Sequence, residues 1–219
     1  MSATDDADRT AGGRGAGSGE PGPGRASVPK GFAVALPEWV GEPEWIERVG
    51  RLYPDAAARM ELAIDLAREN VKRGTGGPFG AAVFEIASGR VIAVGVNRVE
   101  PEGCSSAHAE VVALSLAQVA VGTYDLAAVP GGAELATSVE PCAMCLGAIP
   151  WSGVRRVVCG ATDADARAIG FDEGSKPDDW AGELVRRGIE VVTGVSADES
   201  AAVLRAYREG GGAIYGPGT

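Results

Sequence analysis

The residues best suited to chemistry in this chain are a single histidine, a nearby glutamate and a pair of cysteines. Histidine occurs once, in the segment His108-Ala109-Glu110, and Cys142 and Cys145 form a Cys-x-x-Cys pair directly after Pro141. One imidazole and two thiolates can supply the three protein ligands of a catalytic zinc ion, which leaves the fourth position to water. Glu110 lies two residues past the histidine, so it can reach that water without binding the metal, as a proton shuttle must.

The combination of these features is more informative than any one of them. A lone histidine is more often a core or surface residue, and a lone Cys-x-x-Cys is often a redox pair. Here both groups are expected to open helices, where the helix dipole and the free backbone N–H groups stabilise thiolates. The order His-x-Glu followed by Pro-Cys-x-x-Cys is the signature of zinc deaminases. The sequence therefore predicts a zinc-dependent hydrolytic deaminase.

The two remaining cysteines leave one alternative open. Cys104 could act as a fourth ligand and close the site, which would make this a non-catalytic zinc-binding or scaffold protein. Cys104 could also be a plain loop thiol. Cys159 ends an apolar run, and we expect it to be a buried hydrophobic side chain.

Charge favours a small uncharged substrate over a polyanion. The 219 residues carry a formal charge of −10, with a pI near 4.7. Residues 1–30 contain four acidic and four basic side chains, so the whole of this charge lies on residues 31–219. Such a surface repels a phosphate backbone, whose non-specific binding depends on Lys and Arg. We therefore do not expect a nucleic acid partner.

The distribution of apolar residues argues against a membrane protein. No apolar run approaches the roughly 18 residues that a membrane helix needs. The chain shows no secretory hydrophobic segment, and in such a chain a Cys-x-x-Cys pair favours metal or redox use in a reducing compartment over disulfides. We expect a cytoplasmic protein.

Hydrophobic periodicity predicts an α/β fold, a three-layer α/β/α sandwich around a mixed sheet of about five strands. The runs Phe79–Ile86 and Val91–Val96 are joined by Ala87-Ser88-Gly89-Arg90, which predicts a hairpin. The other predicted strands are Ala133–Thr137, Val154–Cys159 and Ile189–Thr193. The predicted helices are a short one within Pro37–Tyr53, then Asp55–Arg73, Ala107–Val121, Cys142–Ile149 closed by Pro150, Pro177–Arg187 and Asp198–Glu209.

Composition divides the chain into three parts. Residues 1–31 are rich in Gly, Ser, Pro and charge and cannot bury enough apolar surface to offset their ordering entropy, so they are predicted to be disordered. Residues 37–209 are predicted to form the catalytic domain. Residues 210–219 form a Gly-rich tail that contains Ile214 and Tyr215.

Several segments beyond the zinc motif carry a family resemblance. They are Gly77-Pro78-Phe79-Gly80-Ala81, Gly95-Val96-Asn97, His108-Ala109-Glu110-Val111, the run from Ser138 to Trp151, and Ile169-Gly170-Phe171-Asp172-Glu173. Through them the chain resembles the nucleobase-deaminase branch of the cytidine-deaminase superfamily over more than half of its length. Within that branch the likeness is to bacterial guanine deaminases and plant guanosine deaminases. The resemblance implies a cytidine-deaminase-like fold and a Zn²⁺ cofactor.

The resemblance also implies residues that bind the base and assist the reaction. Asn97 lies where guanine deaminases have an asparagine that hydrogen-bonds the base, and Phe79 and Trp151 match aromatic positions that line the base pocket. Glu173 matches an acidic residue that acts as a second proton relay. Asp172 lies beside Glu173 in the same segment, and we expect it to contribute to substrate binding.

The family resemblance has a consequence for assembly. In the family the C-terminal tail often crosses to a partner subunit and closes the neighbouring site with an aromatic residue. Tyr215 is the candidate for that role here. The resemblance therefore implies a homodimer in addition to a small-molecule nucleobase or nucleoside substrate.

The function predicted from the sequence is the hydrolysis of guanine to xanthine and ammonia. tRNA adenosine deaminases share the segment from Glu140 to Cys145 and are an alternative, which the negative charge argues against. Guanosine, cytosine or a modified purine stay open as substrates, because Glu100–Ser106 matches nothing in the family and such loops often determine specificity.

Overall fold

A hairpin and three further strands form the central sheet. The computed structural model describes residues 31–216 of the chain. The strands are β1 (Gly80–Glu85), β2 (Val91–Val96), β3 (Ala133–Val139), β4 (Arg156–Ala161) and β5 (Glu190–Val192), in the sheet order β2-β1-β3-β4-β5. β1 is antiparallel to β2 and to β3, whereas β3, β4 and β5 are parallel. The predicted mixed sheet of five strands is confirmed.

The helices alternate with the strands after the hairpin. Those described are α1 (Pro43–Val49), α2 (Ala56–Lys72), α3 (Val99–Glu102), α4 (Ala109–Val121), α5 (Ala143–Ser152), α6 (Asp163–Ala168), α7 (Trp180–Arg186) and α8 (Ala197–Glu209), with 3-10 turns at Glu38–Gly41 and Leu126–Ala128. Local sequence determines several helix starts. The Asp55 side chain accepts a hydrogen bond from Ala58 N at 2.9 Å and caps α2, and Thr162 and Asp165 form a capping box that opens α6.

Both faces of the sheet are covered by helices. The side chains of Ala81 and Val83 pack with α4, α5 and α7, while those of Ala82 and Phe84 pack with α1, α2 and α8. This alternation follows from the two-residue period of a strand. The three-layer sandwich is therefore confirmed, and each layer of helices has its own apolar core.

A buried ionic cluster lies at the end of the sheet where β3 begins. Glu134, fully buried at 0% exposure, accepts hydrogen bonds from Arg59 at 2.9 Å and from Arg156 at 3.1 Å. Arg59 also donates to the backbone oxygens of Tyr53 and Ile86. The arginine thereby ties α2 to the residues that precede the helix and to the end of β1.

Several predicted boundaries differ from the structure. The helix expected to close at Pro150 continues to Ser152, whose hydroxyl bonds the Ile149 oxygen at 2.7 Å. The strand expected at 154–159 lies two residues later, and the helix expected at 177–187 begins at Trp180. Turn chemistry decides the latter start, since Asp179 caps Gly182 N. Neither α3 nor α6 was predicted.

The predicted N-terminal tail falls almost entirely outside the described residues. Residues 34–216 belong to one compact unit, and residues 31–33, which form neither helix nor strand, belong to the unit that precedes it. Among the residues that the structure describes, no helix combines the length and hydropathy required to cross a bilayer.

Candidate active site

Three segments that flank strands meet at one edge of the sheet. Phe79 precedes β1, Asn97 follows β2 and Glu140 follows β3. Because β1 is antiparallel to both of its neighbours, with Gly80 opposite Val96, the start of β1 lies beside the ends of β2 and β3. The fold therefore brings these side chains together although they are distant in sequence.

Two helix starts place the metal-ligand candidates at the same edge. His108 immediately precedes α4, Cys142 immediately precedes α5, and Cys145 lies in the first turn of α5. The start of α4 packs closely on β2 at Gly95, where a Cβ atom would lie 2.2 Å from the backbone oxygen of Ala109. Only glycine allows this approach, so Gly95 determines how near the sheet the histidine lies.

The histidine and the two cysteines have the geometry of a zinc site. His108 Nδ1 lies 3.4 Å from Cys142 Sγ and 3.5 Å from Cys145 Sγ, and all three ligand atoms fall within 4.8 Å of one another. Tetrahedral zinc with usual bond lengths separates its nitrogen and sulfur ligands by about 3.6 Å. A hydrogen bond with Cys145 lowers the pKa of the Cys142 thiol to about 4, which favours the thiolate that a metal binds. These residues fit zinc.

Cys104 lies outside this ligand group. Its Sγ contacts Ser106 Oγ at 3.3 Å in the loop after α3. The site therefore has three protein ligands and not the four of a closed structural site, which is the arrangement of a catalytic centre. Cys159, by contrast, is fully buried in β4, as expected.

Two buried carboxylates accompany the ligands. Glu110 is 7% exposed and Glu173 is 5% exposed. Burial raises the pKa of both, that of Glu173 to about 8. With a pKa of about 8, Glu173 can hold and release a proton near neutral pH. The small pocket that they share is lined by Phe79, Asn97, His108, Glu110, Glu140, Cys142 and Glu173.

The segment that carries Glu173 has no helix or strand, yet it is held firmly. The backbone oxygen of Glu173 accepts a hydrogen bond from Ala143 N at 2.9 Å, directly at the start of α5. Lys176 Nζ donates to the oxygen of Pro141 at 2.8 Å, and Arg167 donates to the oxygen of Gly174 at 2.7 Å. The second carboxylate is therefore fixed relative to the cysteine ligands.

Two residues expected at the pocket are not there. Trp151 is 84% exposed on the outer side of α5, so it neither lines the pocket of this chain nor belongs to its core. Asp172 is also exposed, and its carboxylate accepts a hydrogen bond from Gly174 N at 2.8 Å. Its position is that of a turn residue, because the neighbouring Glu173 points inward while Asp172 points to solvent.

Tyr215 packs against the pocket wall of its own chain. Its ring makes an edge-to-face contact with Phe171, with centroids 5.2 Å apart, and Phe171 in turn contacts Phe79. The Tyr215 hydroxyl is buried, faces Gly77 and Asn97, and has no hydrogen-bond partner of good geometry among the described residues. Within one chain, the tail therefore reaches the edge of the site.

Two residues near the site were given no role by the sequence reasoning. Glu140 lines the pocket and accepts a hydrogen bond from Asp163 N at 2.9 Å. Its place directly before the Pro-Cys pair was the signal that could have identified it. Asn70, in the last turn of α2, donates a hydrogen bond to the backbone oxygen of Asn97. No local pattern distinguishes it from a surface residue.

Comparison with known proteins agrees with this geometry. The family model for the cytidine and deoxycytidylate deaminase zinc-binding region matches residues 55–161. A guanine deaminase from Bacillus subtilis (strain 168) is 42% identical over 114 residues, which are 52% of this chain and 69% of the relative. A tRNA-specific adenosine deaminase from Agrobacterium fabrum is 34% identical over 68% of this chain and 90% of its own length.

Solved structures give the same result. The structure of a guanine deaminase from Nitrosomonas europaea superimposes with a TM-score of 0.76 and 45% identity, over 84% of this chain and 100% of that one. Family model, sequence relatives and fold therefore coincide with the His-Cys-Cys centre. The chain belongs to the cytidine and deoxycytidylate deaminase family, in its nucleobase-deaminase branch, and is a zinc-binding hydrolytic deaminase.

Proposed function

We propose that this enzyme hydrolyses guanine to xanthine and ammonia. The observation that carries the proposal is the three-ligand centre with two buried carboxylates, Glu110 and Glu173, in a chain that is 42% and 45% identical to two guanine deaminases. The pocket is small and partly open, so it can receive at most a single base.

The residues of the site divide the proton transfers between them. When bound, zinc lowers the pKa of water toward about 7 and so makes hydroxide available at neutral pH. Glu110 accepts the proton of that water as the oxygen bonds to the carbon that carries the amino group, and then delivers the proton to a ring nitrogen. Glu173 donates a proton to the departing amine, which leaves as ammonia when the C–N bond breaks, and the proton of the added hydroxyl group returns to Glu173 as that oxygen becomes the new carbonyl. One water is consumed for each guanine.

The remaining pocket residues bind and enclose the base. The amide of Asn97 is buried at 1% exposure and hydrogen-bonds the edge of the ring, and Phe79 packs against the ring face. Tyr215 packs against Phe171 beside Asn97 and so closes the edge of the pocket. Residues 37–209 form the deaminase domain, and the tail after them supplies Tyr215.

A tRNA adenosine deaminase is the second candidate, because one such enzyme is 34% identical to this chain. The formal charge of −10 disfavours it, since the substrate would be a polyanion held by Lys and Arg. Guanosine, cytosine and a modified purine are the competing small-molecule substrates.

We also propose that the enzyme is a cytoplasmic homodimer. Of the 13 residues of α4 and the 10 of α5, only the buried Glu110 carries a charge. Their outer sides expose Val119, Met144 and Trp151. An uncharged helical surface of this kind on a strongly acidic protein suits burial against an identical copy.

Ammonia release tests the proposed substrate. Purified enzyme is assayed against guanine, guanosine, adenine, cytosine and cytidine, with Cys104→Ser as the control variant. We expect guanine to give the highest kcat/KM, and Cys104→Ser to match the wild type because Cys104 lies outside the ligand group. A higher kcat/KM for any other compound, or activity only on tRNA, would contradict the proposal.

A further inference from the structure

A buried amide lies directly behind the base pocket. Asn70 is 0% exposed in the last turn of α2, and its side chain uses both its donor and its acceptor groups. Its Nδ2 donates to the backbone oxygens of Gly77 at 2.9 Å and Asn97 at 3.0 Å. Its Oδ1 accepts a hydrogen bond from Thr75 Oγ1 at 2.8 Å. A fully satisfied amide in the interior holds its partners rigidly.

The two carbonyls that Asn70 holds belong to the two walls of the pocket. Gly77 O also accepts a hydrogen bond from Phe79 N at 2.9 Å, so the turn that Asn70 fixes is the turn that presents the Phe79 ring. The second carbonyl is that of Asn97 itself. One side chain therefore determines the distance between the aromatic wall and the amide of Asn97.

The packing around the hydrogen bonds of Asn70 leaves no room for a side chain at Gly76. A Cβ atom at Gly76 would lie 1.9 Å from Asn97 O and 2.7 Å from Asn70 Nδ2. The network continues outward, because Trp39 Nε1 donates to Thr75 Oγ1 at 3.0 Å. The loop before β1 is thus held by hydrogen bonds from two sides, from Asn70 of α2 and from Trp39 of the segment that precedes α1.

We propose that Asn70 is the positioning residue for base recognition. Asn70 does not itself line the pocket. It acts by holding the Asn97 and Gly77 carbonyls, so that the Asn97 amide and the Phe79 ring meet the base at a fixed spacing. The inference rests on the proposed base pocket and assigns part of its selectivity to a residue of α2.

The test is a double-mutant cycle between Asn70→Asp and Asn97→Ala. The aspartate keeps the shape of Asn70 but replaces the donor to two carbonyl oxygens with an acceptor. We expect KM to rise about 10- to 100-fold with a smaller change in kcat, because displaced binding groups weaken the base in its ground state as well. Zinc content stays at the wild-type value. In the Asn97→Ala background, Asn70→Asp should raise KM less than about threefold, because the amide that Asn70 positions is already absent.

A matched control separates positioning from general loosening of α2. Ile64 is buried on the same helix and is absent from the pocket lining, so Ile64→Ala destabilises the helix packing without touching the loop. We expect KM for this variant to stay within about twofold of wild type. An equal rise in KM for Ile64→Ala, or an Asn70→Asp effect that is undiminished in the Asn97→Ala background, would overturn the inference.

The substrate for the cycle is the compound that the wild type turns over fastest in the ammonia-release panel. If that compound is not guanine, the proposed function fails, while the coupling between Asn70 and Asn97 still decides the role of Asn70. The two claims therefore fail on different measurements.

Discussion

Glu110 is the residue on which the proposed chemistry depends most. It is buried two residues from the histidine ligand and lines the pocket, but it is not one of the metal ligands. We expect Glu110→Gln to lower kcat about 10²- to 10⁴-fold, the usual contribution of general acid–base catalysis. Zinc content should be unchanged, as measured by elemental analysis. Substantial residual deamination would mean that another group moves the proton.

Glu173 offers a second prediction at the same scale. Since it is proposed to assist the departing amine, Glu173→Gln should lower kcat more than it raises KM. Asp172→Asn is the matched control, because Asp172 is the neighbouring carboxylate and is exposed. Steady-state kinetics on the preferred base compares the two variants. An equal loss of kcat in Glu173→Gln and Asp172→Asn would contradict the assignment of the proton relay to Glu173.

At the residue scale, the sequence predicted the metal-ligand candidates correctly, because their types and spacing are specific to a metal site. His108, Cys142 and Cys145 were identified because few other arrangements of those types use such spacing. Trp151 lies on the exposed side of α5 and not at the pocket of its own chain, because a family motif gives the residue type but not the side of the helix that it occupies. Asn70 was missed, because its partners come from loops that only the tertiary fold brings together.

At the scale of elements, the ionic cluster that joins α2 to the sheet should contribute strongly to stability. Arg59→Met leaves the buried Glu134 without its closest partner, and removal of one member of a buried pair typically costs about 3–5 kcal/mol. Arg51→Met, which breaks an exposed pair with Glu47, is the control and should change little. Urea unfolding measures both. Equal midpoints for the two variants would contradict this assignment.

The order of elements could be predicted far better than their ends. The continuous apolar run of β1, which is buried on both faces, and the helical spacing through α2 are dictated by burial, which the sequence records directly. The unpredicted α6 begins at a capping box, Thr162 with Asp165, within a polar stretch that lacks a long apolar stripe. Short elements of this kind are defined by local hydrogen bonds that hydrophobic periodicity does not report.

At the scale of the whole molecule, the uncharged outer side of α4 and α5 predicts the assembly. Trp151→Glu places a charge in the centre of the proposed interface and should convert a dimer to a monomer in light scattering coupled to gel filtration. Ile46→Glu changes an exposed apolar residue on α1, which packs on the opposite face of the sheet, and should leave the dimer intact. A monomeric wild type, or a dimeric Trp151→Glu variant, would contradict the proposed homodimer.

The account as a whole depends on a metal centre with three protein ligands. The most direct test is elemental analysis of the purified wild type beside the variants His108→Ala and Cys104→Ser. We expect one zinc per chain in the wild type and in Cys104→Ser, and loss of the metal in His108→Ala, because only the latter removes a member of the ligand group. A wild type without stoichiometric metal, or a Cys104→Ser variant that loses it, would contradict the central claim.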